Sequence, residues 1–326
     1  MLNDFVASDN SRYLDPSVQV LVIGRRHMRG VLSLADVLKR EKPDVVLAAL
    51  GASNLKMTIA NQLAGRASAL ILTYHGRYSV ERRLLGRLGY MATPVISRLA
   101  DWTLAVSENL AGDIVRIWKA DPRRTSFIHN PIVVPQAPDN VTEELLTTRS
   151  DVVLAVGRLA PEKEFISLIR AFSNLPRPAS QLIILGEGPE RPALEAEVRR
   201  LRLTGRVTLP GYIREPWSYF ERAKCFAMAS RDESFGNVVV EALAYGLPVI
   251  STKCGGPEEI LESGRYGTLV PVNDVVAMAA ALDDALRDPG NPQPRLDRAA
   301  RFAAQAVATR YEALIAKILG EKKRRQ

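Results

Sequence analysis

Short apolar runs alternate with stretches of helical spacing along almost the whole chain. VQVLVIG (18–24), VVLAAL (45–50), ALILTYH (69–75), DWTLAVS (101–107) and SFIHNPIVVP (126–135) have the length and composition of strands. Between them VLSLADVLKREKPD is an amphipathic helix ended by Pro43, NLKMTIANQLAG is a second, and SENLAGDIVRIW is a third with Ser107 as its N-cap. A strand, a helix and a further strand make the repeat of a doubly wound parallel sheet, so residues 1–130 are expected to form a sheet of their own. Pro131, Pro135 and Pro138 among polar residues mark 131–150 as an interdomain linker. A second alternating series runs over 151–300, with strands in DVVLAVGRLAPEKEFISLIRAF, QLIILGEGP, RVTLPGYI, KCFAMAS, PVIST and GTLVPV. The segment 301–326 belongs to a terminal helix read in RAARFAAQAVATRYEALIAKIL, followed by the basic tail GEKKRRQ. The expected fold class is α/β, with two Rossmann-like domains whose parallel sheets face a central cleft.

The stretch from Lys224 to Ile260 is the densest in chemistry. KCFAMAS and PVIST are strands, and VVVEALAYG between them has helical spacing closed by Gly246 and Pro248. The loop from Arg231 to Asn237 therefore lies where a strand ends and a helix begins, which is where such sheets bind ligands. Phe235, Gly236 and Asn237 leave backbone N–H groups at the helix start, suited to a diphosphate or a sugar hydroxyl. Glu233 and Glu241 frame this loop with seven residues between them. Spacing alone fits two carboxylates facing one crevice, and equally a helix cap followed by a solvated helix residue.

Four strings in order carry a more specific resemblance. Glu233-Ser234-Phe235-Gly236, then Glu241, then Gly246-Leu247-Pro248-Val249, then Gly255-Gly256-Pro257-Glu258-Glu259 closely resemble the Glu-x7-Glu signature of retaining glycosyltransferases of family 4, which have the GT-B fold. Gly157-Arg158-Leu159-Ala160-Pro161-Glu162-Lys163 resembles the family's Gly-Arg-Leu-x-x-x-Lys loop, whose Arg and Lys grip the donor diphosphate. The family commonly has Gly after that Lys, whereas Glu164 follows here and brings a negative charge to the loop. Gly186-Glu187-Gly188-Pro189 lacks the third Gly of a dinucleotide fingerprint and resembles a recurrent turn of the family. Gly211-Tyr212-Ile213 resembles the loop whose backbone meets the nucleotide base. Tyr74-His75-Gly76 resembles the His-containing loop that faces the transferred sugar, and His129-Asn130-Pro131 a strand-ending pair that shapes a turn. The resemblance spans roughly residues 18–320.

It implies a retaining, hexosyltransferase-type enzyme that moves a sugar from a nucleotide-diphosphate sugar to a hydroxyl acceptor, a saccharide or lipid-linked saccharide of the cell envelope. The residues carried over are Glu233 and His75 as catalytic, and Arg158, Lys163, Glu241, Gly236, Phe235, Asn237, Val238, Ile213 and Gly157 as donor-binding. Fixed cations stabilise the charge that grows on a leaving diphosphate, so neither a metal nor a cofactor is expected in the chemical step. Two rivals stand beside this reading: a nucleotide-sugar epimerase of the same fold, which needs no acceptor, and a degenerate scaffold that binds sugar nucleotides without turnover. Met1 to Pro16 lacks the apolar strand, Gly-Gly loop and long helix with which such a first domain opens. The expectation is a shortened start, with low transferase activity and nucleotide binding retained by the second domain.

Composition narrows the setting. The chain of 326 residues is 47% hydrophobic and 25% charged, the balance of a globular protein with a sizeable core. It has no apolar run of about 18 residues and its first ten residues lack signal-peptide character, so a cytoplasmic place is expected. Cys225 and Cys254 form no CxxC and read as free thiols, and His27, His75 and His129 are scattered, with no metal-ligand spacing. The net charge of +8 admits nucleic acid or an anionic membrane surface and decides neither, and no nucleic-acid partner is expected. In 81–88, Arg83 and Arg87 can share one helix face with Leu84, Leu85 and Leu88 near another, which suits peripheral contact with an anionic inner membrane face or a partly buried, solvated helix.

Overall fold

The computed structural model describes residues 2–3, 15, 17–22, 27–81, 83–134 and 140–324. They fall into two compact units, one of Met1–Ala105, Ala111–Phe127 and Glu312–Gln326, the other of Val106–Leu110 and Ile128–Tyr311. Each is built on parallel strands.

In the first unit β1 (Leu2–Asn3) pairs with β2 (Leu21–Val22). Of the expected strand 18–24, only Leu21–Val22 is extended in a ladder, and residues 23 and 24 lie outside the described ones. A two-residue strand thus sits inside the opening segment, from which none was expected; most of the rest of that segment lies outside the described residues. The main sheet has the order β3 (Val45–Ala49), β4 (Ala69–Tyr74), β5 (Trp102–Ala105), β6 (Thr125–Phe127), all parallel. Every residue of β4 is buried, as its unbroken apolar run requires of a strand covered on both faces. Residues 78–100 resolve into a short 3₁₀ turn and the helices Leu84–Met91 and Thr93–Leu99. The first of these packs on helix Gly51–Leu63 at glycines: a Cβ on Gly89 would lie 2.0 Å from the carbonyl oxygen of Gly51.

The second unit holds β7 (Val152–Val156), β8 (Gln181–Leu185), β9 (Val207–Gly211), β10 (Cys225–Met228), β11 (Val249–Thr252) and β12 (Thr268–Val270). Their spatial order is β9, β8, β7, β10, β11, β12, all parallel. The chain therefore starts in the middle of the sheet, winds outward to β9, returns beside its starting strand and winds outward the other way. β7 and β10 flank the point where the winding reverses. In open α/β sheets, the carboxyl ends of the two strands at such a reversal are the usual ligand site. One apolar cluster under the sheet, including Phe165, Leu168, Ile169, Phe172, Ile184 and Leu282, fixes both strands and the helix Phe165–Ser173.

Two boundaries differ from the expected ones. The second unit's long segment begins at Ile128, and within 131–150 the chain forms helix Glu143–Thr148, whose start is capped by Thr142 accepting from the Leu145 N–H at 3.1 Å. Val141 and Leu146 are buried there, so this part of the supposed linker belongs to a core; Pro135 and Pro138 lie outside the described residues. The supposed single terminal helix is two, Gln293–Ala300 and Ala304–Lys323. Between them the Phe302 carbonyl accepts from the Ile132 N–H at 2.9 Å and the Phe302 ring is buried, a pairing that helix geometry would forbid. The last helix belongs to the second unit as far as Tyr311 and to the first from Glu312, where Lys317 lies 4.4 Å from the centroid of the Trp102 ring. Among the described residues no helix is long and apolar enough to cross a membrane.

Candidate functional site

The loop after β7 is shaped by backbone contact with the loop after β8. Gly157 N–H donates to Leu185 O at 2.9 Å, Leu159 N–H to Glu187 O at 2.9 Å, and Glu190 N–H back to Leu159 O at 3.0 Å. The approach is so close that a Cβ on Gly186 would lie 1.9 Å from Gly157 O, and one on Gly188 2.3 Å from Leu159 O. This explains the two glycines of Gly186-Glu187-Gly188-Pro189: they seat the cation-bearing loop. Arg158 projects from that loop, exposed, and donates to Glu162 at 2.5 Å. Lys163, half-buried, ends a 3₁₀ turn, and Glu164 enters the following helix at φ 50, ψ 36, left-handed. That is the position where Gly was expected, and the Glu carboxylate is tied to Arg231 Nη1 at 3.2 Å.

The loop after β10 is held from the other side. Glu233 N–H donates to Cys254 O at 3.0 Å, and Gly256 N–H to Glu233 O at 2.9 Å. A Cβ on Gly256 would lie 2.3 Å from Cα of Phe235, so this glycine lets the two loops lie against one another. Gly236, at φ 99, turns the chain into helix Asn237–Ala244, whose start has no side-chain cap. Its first N–H groups, of Asn237 and Val238, thus form the helix start that an anion favours.

These two loops bring Arg158, Lys163, Glu233 and Gly236 into one neighbourhood, for Lys163 Nζ donates directly to Glu233 Oε2. Glu241 sits inside the helix and behaves differently. Burial pushes its carboxyl up to about 7, and among the described residues it forms no hydrogen bond or ion pair. A carboxylate in such surroundings is an unused acceptor, suited to a pair of ligand hydroxyls.

Other expected residues fall as follows. Phe235 was expected among the donor-binding residues through its backbone at the helix start; its ring is 2% exposed and packs on His129 at 5.3 Å and Phe302 at 5.7 Å between centroids, so the ring shapes the loop. Asn237 is exposed and its Oδ1 accepts from Asn130 Nδ2 at 2.9 Å, which gives the His129-Asn130-Pro131 turn its purpose. Ile213 is half-buried just beyond β9, next to exposed Tyr212 and after Gly211 at φ 100; Gly186 N–H donates to Gly211 O at 2.8 Å and ties this loop to the one after β8. His75 belongs to the first unit, exposed at the end of β4. Thr73 Oγ1 donates to Ala48 O at 2.9 Å and so accepts from His75 Nε2 at 3.1 Å, which fixes the tautomer. Among the described residues no group of His, Cys, Asp or Glu is arranged to hold a metal ion.

Sequence reading missed Glu162, Arg231 and Glu259. Glu162 stands four residues from Arg158, a spacing that could have signalled the pair. Glu259 accepts from the backbone N–H groups of Glu108 at 2.8 Å and Asn109 at 2.6 Å, and lies 3.4 Å from His129 Nε2. The last Glu of the Gly-Gly string is therefore occupied with its own fold.

A doubly wound sheet with cations and a bare helix start at its switch point has the arrangement that suits an anionic ligand. The chain belongs to the glycosyl transferases group 1, whose family model matches residues 138–305, and residues 15–134 match the Glycosyltransferase Family 4 model. It is 29% identical over 298 residues to the lipopolysaccharide core biosynthesis glycosyltransferase LpsE of Rhizobium meliloti, covering 87% of this chain and 79% of LpsE. It is 31% identical over 190 residues to the N-acetylgalactosamine-N,N'-diacetylbacillosaminyl-diphospho-undecaprenol 4-alpha-N-acetylgalactosaminyltransferase of Campylobacter jejuni, covering 58% of this chain and 52% of that one. Among solved structures, Anabaena HepE in complex with UDP superposes with a TM-score of 0.77 at 21% identity, over 91% of this chain and 86% of HepE. That likeness is one of fold, and the fold is GT-B.

Proposed function

We propose that the chain is a retaining glycosyltransferase that takes a sugar from a nucleotide-diphosphate donor and passes it to a hydroxyl of a saccharide or lipid-linked saccharide of the cell envelope. The observation that carries this reading is the meeting of Arg158, Lys163, Glu233 and the bare helix start at Gly236 on the two loops of the switch point. Arg158, Lys163 and the amides of Asn237 and Val238 hold the diphosphate, with Gly157 letting the loop approach it. Glu241 takes the ribose hydroxyls, Glu233 the hydroxyls of the donor sugar, and the backbone at Ile213 the base. His75 keeps the catalytic role that the resemblance gives it. The leaving diphosphate is stabilised by these fixed cations and accepts the proton of the incoming hydroxyl, so departure and attack take place on one face and no metal enters the chemical step. The LpsE name supports an envelope saccharide as acceptor, the Campylobacter enzyme's name a lipid-linked one, and the HepE complex with UDP-glucose a nucleotide-sugar donor.

The test is turnover with a panel of nucleotide sugars and envelope saccharides, with the anomeric configuration of the product read by NMR and the assay repeated in chelator. Retention and an unchanged rate in chelator are expected; an inverted product contradicts the mechanism. Arg158→Ala and Lys163→Ala should each weaken a nucleoside diphosphate by about 2 kcal/mol and leave the nucleoside unaffected, since each removes a charge-assisted hydrogen bond to phosphate. The proposed setting is cytoplasmic, on the inner face of the membrane. Exposed Leu84, Leu88 and Met91 beside exposed Arg83 and Arg87 support contact there, while Arg82 lies outside the described residues. The parent should sediment with anionic vesicles at low salt, and a chain with Arg83→Ser and Arg87→Ser should not.

A further inference from the structure

Three cations and three carboxylates pair off on the two loops of the switch point: Arg158 with Glu162, Lys163 with Glu233, and Arg231 with Glu164. Each cation near the proposed diphosphate position is thus matched by an acid of the protein itself. The acids also crowd one another, for Glu190 is held above the usual carboxylate range by burial, reinforced by repulsion from Glu164 and Glu162. Lys163 and Glu233 already have parts in the proposed reaction. Glu162 has none, and its geometry shows what it can do. Its carbonyl accepts the Arg231 N–H at 2.9 Å and its backbone lies in the 3₁₀ turn Pro161–Lys163, so it is fixed to both loops. Its side chain is 15% exposed, whereas that of Arg158 is 55% exposed. Of the two partners, Arg158 can swing outward and Glu162 cannot follow.

We infer that Glu162 sets the affinity for the donor's diphosphate by competing with it for Arg158. The inference rests on Arg158 being a diphosphate ligand. A phosphate oxygen that takes the guanidinium must draw it from a carboxylate held in place, so part of the gain from the new ion pair is spent on the old one. The same competition acts when the nucleoside diphosphate leaves as product, since Glu162 offers Arg158 a partner to return to. Glu162 is on this account a positioning residue, acting on the ligand through Arg158.

The experiment is calorimetric titration of the full chain with UDP, GDP and ADP, and with the matching nucleosides, for the parent, Glu162→Gln, Arg158→Ala and the double variant, with melting temperature read on each sample. Glu162→Gln keeps the shape and removes the charge; Glu162→Ala serves as the second variant should the amide bind Arg158 in its turn. The expected result is about threefold tighter binding of the diphosphate in Glu162→Gln, the worth of roughly one partly exposed ion pair, with the nucleoside unchanged and no gain in the Arg158→Ala background. Unchanged or weaker diphosphate binding in both Glu162 variants, while Arg158→Ala still weakens it, overturns this inference alone. An equal gain in the Arg158→Ala background also overturns it, because the effect would then be one of general charge. A parent chain that binds none of the three diphosphates overturns the reading of the site together with the inference.

Discussion

The two crossovers that leave the switch point make the same turn with different means. Both enter their helix through a left-handed residue without a side-chain cap, Glu164 before helix Phe165–Ser173 and Gly236 before helix Asn237–Ala244. The first crossover brings the cations Arg158 and Lys163, the second the carboxylates Glu233 and Glu241. At Gly236 the dihedrals, φ 99 and ψ 58, lie beyond the basin that a side chain accepts readily, and an added Cβ would meet Pro257 Cγ at 3.3 Å. At Glu164 they are φ 50 and ψ 36, inside the ordinary left-handed well, and the carboxylate is held by Arg231. One loop is shaped by what its backbone alone can do, the other by a strained residue whose charge is tied down. The carboxylates differ as well: Glu233 is paired with Lys163, and Glu241 is half-buried with no partner among the described residues.

The largest expected effect sharpens that last contrast. Burial raises the Glu241 carboxyl from its ordinary value of about 4.5 to about 7 in the folded chain. Between those values the folded state keeps a proton that the unfolded chain has released, so stability from this group is full below the lower value and is lost as pH rises through the upper one. Glu241→Gln should therefore be more stable than the parent at pH 8, by up to about 3 kcal/mol, and no more stable at pH 4. Denaturant titrations at the two pH values measure this. A pH-independent difference would mean that desolvation of the carboxylate is not what separates the two.

Next in size is Gly236→Ala. Forcing a side chain into that turn should cost about 2 kcal/mol of folding stability and weaken diphosphate binding along with it, because the helix start must shift. A variant as stable as the parent would break the claim that backbone geometry shapes the second loop.

Much of this was legible in the residues. The central strands β7 and β10 read as unbroken apolar runs because a parallel strand covered on both faces has no polar positions to betray a period of two. The loops were legible because Gly186, Gly188 and Gly256 in them each answer a close approach of backbones. What escaped depends on partners far apart in the chain. Phe235 reads as a site residue by its place, yet its ring is a packing element because His129 and Phe302 arrive from elsewhere. The terminal helix reads as continuous through Phe302 because nothing local shows that Ile132 will take its carbonyl. The helix at Glu143–Thr148 was hidden by its prolines upstream, although Thr142 followed by Glu143 and Glu144 is a helix start by its own chemistry.

The smallest expected effect tests the other half of the comparison. Glu164→Gly relieves a left-handed side chain, a gain of about 1 kcal/mol, but it also frees the unfolded chain and removes the pair with Arg231. That pair is worth little, because the Arg231 side chain is 57% exposed and well screened. The net should be a stabilisation of under about 1 kcal/mol, visible as a small rise in melting temperature. Glu164→Gln separates the two causes, since it removes the charge and keeps the strained backbone. It should leave stability within about 0.5 kcal/mol of the parent. If Glu164→Gln rises as far as Glu164→Gly, the strain at this turn is negligible and the gain comes from relieving the acids around Glu190; the first crossover would then be shaped by charge alone, and its likeness to the turn at Gly236 would be one of dihedral angles only.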